Sequence, residues 1–204
     1  MQAEKPKPLR HIRRKKRPAG RPATPAQYLD FEYAAKRKHE YAEGEIRLMA
    51  YTSENHGLLV ANLIGLLFAA LKGTGCRVYP SDRLLHIPAT GAFYYPDVMI
   101  VCGESDFFNY KQTMKATLNP TTLIEVMSVT TSDYDETVKW WGYRRISTVQ
   151  QYVRVSQNEY YVELYTRTND STEWLNTYYT EPDQTLTING VVLRVADVYE
   201  NVVL

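Results

Sequence analysis

The chain has 204 residues, 44% of them hydrophobic, which is enough for one domain with a true core and a tail. No run approaches eighteen consecutive apolar residues and the first twenty contain no apolar signal core, so neither a membrane span nor a secretory signal is expected. The net charge of +1 hides an asymmetry: residues 1–22 hold nine Lys or Arg and one acid, leaving the remainder net acidic.

The arm, "MQAEKPKPLRHIRRKKRPAGRPAT", is rich in charge and proline and poor in apolar residues. It cannot bury enough surface to fold alone, so residues 1–24 read as disordered. Its "RHIRRKKR" suits phosphate contacts that gain affinity by displacing counterions, or serves only as a solubilising tail.

The body reads as a helix, then strands. "TPAQYLDFEYAAKRK" predicts a helix with Thr24 as N-cap and Pro25 at its first position. "HEYAEGEIRLMA" predicts a turn at Gly44 leading into a strand. "SENHGLLVANLIGLLFAALK" is apolar at helical spacing and predicts a core helix over 53–72, stopped by Gly73 and Gly75. "CRVYPSD", "RLLHIP", "YYPDVMIVCG" and "TTLIEVMSV" predict strands. "SDYDETVKWWGYRRI" predicts a second helix, capped by Ser132 or Asp133. "QYVRVSQ" and "YYVELYTR" are again strand-like, followed by a polar stretch. "TLTINGVVLRV" predicts a C-terminal hairpin turning at Asn189 and Gly190. The order implies an α/β domain with a mixed sheet. Cys76 and Cys102 lie outside any C-x-x-C pattern and read as idle thiols in a reducing cytoplasm.

Two strands carry an acid inside an apolar pattern, Asp97 in "FYYPDVMIV" and Glu125 in "LIEVMS". Burying a carboxylate costs several kcal/mol unless a positive partner is present. Alternation places Asp97 with Met99 and Val101, and Glu125 with Leu123 and Met127. On neighbouring strands the two carboxylates offer hard oxygens to Mg²⁺ or Mn²⁺. Pro96 marks a strand start or bend beside Asp97. The plainer reading makes each acid a cap or an ion-pair partner. Lys139 and Tyr143 share one face of the second helix. A lysine there can steer a water or balance charge on a phosphate; alone, a helix lysine is ordinarily solvated.

An acid after proline, a second acid on the next strand and a helix lysine resemble the PD-(D/E)XK nuclease superfamily. The chain resembles in particular the Uma-type restriction endonucleases. The pieces that carry the resemblance are "HEYAEGEI", "NHGLLVANL", "VYPSDRLLHIP", "YYPDVMIV", "NPTTLIEVMSVTT" and "YDETVKWWGYRRI", in that order from about Pro25 to Leu164. The resemblance implies a restriction-endonuclease-like mixed β-sheet core flanked by helices over residues 25–204, of αβββαβ type with an extra C-terminal β-hairpin. It implies Asp97, Glu125 and the backbone carbonyl of Val126 as ligands of Mg²⁺ or Mn²⁺, and Lys139 as the charge-stabilising group. The usual signature lysine, two residues past the second acid, is replaced by Met127, and Lys139 takes its role from the following helix. Glu40, His56 and Asp82 match family positions and are accessory candidates, each with a plain structural alternative. His39 and His86 lack partners at ligand spacing, so zinc is not expected.

The expectation is a cytoplasmic Mg²⁺-dependent endonuclease acting on DNA, a homodimer because two strands need two sites, with no membrane partner. Lys111, Lys115, Arg144 and Arg145 would supply a basic stripe if they fall on one side. A second reading is a non-catalytic binding module for nucleic acid or protein on the same scaffold, motivated by Met127. A third is a self-associating protein whose acids are merely ion-paired, motivated by seventeen tyrosines.

Overall fold

The computed structural model describes residues 20–127, 138–169 and 173–204, and every count below refers to them. Most of the arm and the N-terminal part of the second predicted helix lie outside these residues. Strand β1 (Arg21–Pro22) already pairs with β3 (Glu45–Leu48), so residues assigned by sequence to the arm belong to the ordered body.

Helix α1 (Pro25–Ala34) starts in a capping box between Thr24 and Gln27. It stops short of the predicted Lys38 because Glu32 accepts the His39 N–H at 3.1 Å and holds Nδ1 of the same ring at 3.0 Å, which turns the chain into β2 (His39–Ala42). Glu43 and Gly44, both with positive φ, close the β2–β3 hairpin. Helix α2 (Glu54–Leu71) is capped by the Ser53 hydroxyl. By length and composition α2 is apolar enough to cross a bilayer. Here its Leu59, Leu63, Leu67 and Leu71 form a buried stripe packed on a sheet.

That sheet has six strands in the order β13-β12-β11-β10-β7-β4: β4 (Cys76–Pro80), β7 (Val98–Cys102), β10 (Thr122–Met127), β11 (Gln151–Ser156), β12 (Val162–Arg167) and β13 (Trp174–Tyr179). Only β10 and β11 are parallel. Its two faces are both covered, so its central strands β7, β10 and β11 are mostly apolar. Val98, Ile100, Ile124, Val126, Val153 and Val155 face α2. Met99, Val101, Leu123 and Tyr152 face α3 (Trp140–Tyr143) and β5–β6.

A second sheet of seven strands was not anticipated as a separate layer. Its order is β1-β3-β2-β6-β5-β9-β8, with β5 (Leu85–Ile87), β6 (Ala92–Tyr94), β8 (Phe107–Tyr110) and β9 (Met114–Thr117). α1 packs on it through Tyr28 and Leu29. The predicted C-terminal hairpin forms as β14 (Thr185–Ile188) and β15 (Val191–Arg194), turning at Asn189 and Gly190, and a short helix α4 (Val195–Val198) follows.

The reading of two idle thiols is corrected. Cys76 and Cys102 are register partners on antiparallel β4 and β7, and they form a disulfide. Direct opposition across a strand pair brings the two Cβ atoms within bonding reach.

Candidate functional site

β10 is buried along its whole length, between β7 and β11. Glu125 therefore stands in the interior, 3% exposed, on the face that α3 covers. Its Oε1 accepts two hydrogen bonds, from Lys139 Nζ at 3.0 Å and from the Tyr143 hydroxyl at 2.6 Å. The expected shared helix face of Lys139 and Tyr143 is thus aimed at this carboxylate. Burial, with Glu125 and Glu40 close by, pushes the Tyr143 phenol well above its ordinary pKa, so it remains a neutral donor.

Close packing fixes α3. Tyr143 meets the rings of Tyr94 and Tyr152 edge-on, at 5.6 and 5.3 Å between centroids. Trp140 lies 4.4 Å from the Tyr165 ring and stacks on Tyr152. Gly142 faces Ile87 so closely that a Cβ there would fall 2.9 Å from Ile87 Cδ1. A larger residue there requires the Ile87 Cδ1 methyl to move aside.

Lys139 is 5% exposed and is shared. Its Nζ is 3.0 Å from Glu40 Oε1 as well as from Glu125, and 5.5 Å from the Tyr94 ring centroid. Glu40 comes from β2 and also accepts the Tyr95 N–H at 3.3 Å. The seven-stranded sheet thus contributes one acid, the six-stranded sheet a second, and the ammonium bridges them.

Asp97 sits one residue before β7, beyond the last ladder pair of Ile124 with Val98. It is 8% exposed. Its Oδ2 accepts the Val126 N–H at 2.8 Å and is 3.1 Å from His56 Nε2. His56 belongs to the first turn of α2, where Ser53 accepts its N–H and also bonds the Gln157 side chain. The Glu125–Val126 peptide therefore joins two clusters: its N–H binds Asp97, and the Glu125 side chain binds Lys139 and Tyr143.

Of the predicted residues, Glu125, Lys139 and Glu40 are in direct contact, and Asp97 and His56 form the adjoining pair. Asp82 stands apart, in an exposed turn after β4 where it pairs with Lys38. His39 and His86 have local partners, Glu32 and the Ala92 carbonyl. The Tyr143 bond to Glu125 was missed as a contact; the i,i+4 spacing from Lys139 was its only signal.

A mixed α/β core with this site is restriction-endonuclease-like, and the comparison of structures agrees. The chain superposes on the "Crystal structure of a putative nuclease belonging to DUF820 from Anabaena variabilis ATCC 29413" with a TM-score of 0.66 and 15% identity, over 87% of this chain and 98% of that one. The family model of Uma2, "Putative restriction endonuclease", matches residues 25–196, and the chain belongs to that family. Two relatives from Synechocystis sp. (strain ATCC 27184 / PCC 6803 / Kazusa) are similar to it. "Uncharacterized protein sll1609" is 35% identical over 76% of this chain and 85% of its own length. "Uncharacterized protein slr1290" is 30% identical over 79% and 82%. The family and the fold support a nuclease-like role.

Proposed function

We propose that the chain is a divalent-metal-dependent endonuclease that hydrolyses phosphodiester bonds in DNA. The observation that carries this reading is the convergence of Glu125 and Lys139, with Asp97 bonded to the very next peptide.

The donors suit Mg²⁺ or Mn²⁺. Asp97 uses Oδ2 for both of its hydrogen bonds, while Oδ1 has no hydrogen-bond partner among the described residues. The Val126 carbonyl leaves the strand on the same edge as its N–H, toward Asp97. Among the described residues no three His, Cys, Asp or Glu side chains gather as a ready metal cage. Mg²⁺ is ordinarily held by one or two carboxylates, with water and substrate phosphate completing its octahedron. When bound, the ion supplies Lewis acidity toward the phosphoryl oxygen and makes a bound water more acidic.

The protein's own groups do the rest. Asp97, Glu125 and the Val126 carbonyl would hold the ion, and His56 and Tyr143 fix the two carboxylates. Lys139 orients the attacking water or offsets negative charge that builds on the phosphate. A water oxygen bonds to phosphorus as the bond to the leaving sugar oxygen breaks in line, and the water proton ends on that oxygen. Near the same helix, Arg144 and Arg145 lie over the exposed Trp141 ring at 4.9 and 5.9 Å, suiting phosphate and base contact. Lys111 is drawn to Asp30 instead.

Plasmid incubated with the protein and Mg²⁺ or Mn²⁺ tests the reading. Nicking that vanishes in Asp97→Ala and in Lys139→Ala is expected; equal nicking by all three would overturn it. One observation favours a silent binding module: the Lys139 ammonium is already held by two carboxylates. That reading requires DNA binding without cleavage by the wild type. Homodimerisation, proposed because duplex cleavage takes two sites, is read by light scattering with and without DNA.

A further inference from the structure

A row of charge crosses the sheet at the level of Glu125. Register pairs Glu125 with Arg154 on β11, Arg154 with Glu163 on β12, and Glu163 with Tyr178 on β13. Register partners project from the same face, and neighbouring strands are about 4.8 Å apart. Arg154 is therefore the immediate sheet neighbour of Glu125, on the face that carries Lys139. It is 4% exposed, as is Glu163, matching the burial of Glu125 and Lys139. The next row on this face is Leu123, Tyr152 and Tyr165, without a charge.

Glu163 is built to hold this arginine. Its Oε2 lies 2.6 Å from Arg154 Nη1. Its Oε1 accepts the Tyr165 hydroxyl at 2.6 Å and the Asn176 amide at 2.9 Å. A buried ion pair is seldom the most stable filling for a core, because desolvation offsets most of the attraction. An apolar pair would serve the sheet as well. Its position one strand from the candidate catalytic acid gives it a chemical purpose. A guanidinium can hold a carboxylate and a phosphate at once through its five donors.

We infer that Arg154 is a phosphate-contacting cation of the site, held in place by Glu163. A phosphodiester brought to Glu125 and Asp97 then meets two cations, Lys139 from the helix and Arg154 from the sheet. Because charge on the non-bridging oxygens grows toward the transition state, the guanidinium acts on turnover more than on metal binding. Arg154 thereby adds from β11 a second positive charge to the one that Lys139 brings from the helix. This inference rests on the nuclease reading above.

The test uses full-length protein with the double variant Arg154→Gln/Glu163→Gln, which removes both charges and leaves a neutral pair able to hydrogen-bond, and the single variant Arg154→Lys. Three quantities are read: thermal unfolding, Mn²⁺ affinity by calorimetry, and cleavage of a labelled duplex, with its binding in Ca²⁺ by anisotropy. The double variant is expected to fold, to bind Mn²⁺ within threefold of wild type, and to lose at least 100-fold in kcat and tenfold in DNA affinity. Arg154→Lys should recover part of the rate, because a point charge remains. A folded double variant that cleaves and binds as the wild type does would overturn the inference alone. Loss of Mn²⁺ affinity in parallel with rate would also overturn it, in favour of a scaffolding role. A wild type that binds Mn²⁺ but neither cleaves nor binds DNA would sink the nuclease reading, and the inference with it.

Discussion

Asp97 accepts the backbone N–H of Val126 at 2.8 Å, so the strands bearing the two acids are tied together just past the end of their ladder. The same oxygen meets His56, which gives this carboxylate a structural duty beside any chemical one. Asp97→Ala should cost about 1–3 kcal/mol, since a buried N–H is left without its acceptor. Asp97→Asn keeps an acceptor for Val126 and should cost less. Both should abolish Mn²⁺ binding. Urea unfolding and calorimetry on the same samples check this, and full stability in the alanine variant would contradict it.

Lys139 joins two acids from different sheets, and its loss should be felt across both. Lys139→Met leaves Glu40 and Glu125 without the ammonium they share, a change expected to destabilise by about 3–5 kcal/mol near neutral pH. The penalty should shrink once the pH is low enough to neutralise the two acids, because the uncompensated buried charge is then gone. Restoring stability by adding Glu40→Gln would trace the cost to that pair. A flat pH dependence would count against it.

Burial raises the phenol pKa of Tyr28, Tyr95, Tyr143 and Tyr199 above the ordinary value, in Tyr143 also through Glu125 and Glu40. A raised folded-state value leaves stability intact below the unfolded pKa of about 10 and removes it as pH climbs further. Each such tyrosine should contribute a loss of about 1.4 kcal/mol per pH unit above that point. Absorbance at 295 nm should show these phenols ionising only when the fold is lost. Early, reversible ionisation of all seventeen tyrosines would refute the packing described.

The Cys76–Cys102 bridge closes a loop across a sequence separation of 26 and joins strands that are already paired. Its removal, by dithiothreitol or by Cys→Ser at both positions, should cost about 3 kcal/mol. Asp97 lies at the opposite end of β7, so Mn²⁺ affinity should not change. A shift in that affinity on reduction would reveal coupling along the strand.

Local chemistry made much of this fold legible. Thr24-Pro25, Ser53, Gly44 and Asn189-Gly190 each marked a boundary through capping or turn geometry that needs no distant partner. Asp97 and Glu125 stood out because a charge inside an apolar strand demands compensation. The same criterion, applied to "QYVRVS" and "YYVELY", would have singled out Arg154 and Glu163. What escaped depended on register. Cys76 opposite Cys102 and Glu125 beside Arg154 are relations between strands, and Glu40 against Lys139 one between a strand and a helix; no periodicity within one element contains them. The β8–β9 hairpin turns with a positive φ at Lys111, which is not a residue that announces such a turn.

The site draws Glu40 from β2, His56 from α2, Asp97 from the edge of β7, Glu125 from β10 and Lys139 from the helix that follows. Closing such distant loops is the slow part of building a sheet-rich chain. The cluster can assemble only after both sheets have met, which makes it a late product of folding. A nascent or clipped polypeptide would carry these side chains without their arrangement, and a destructive activity would wait on completion of the molecule.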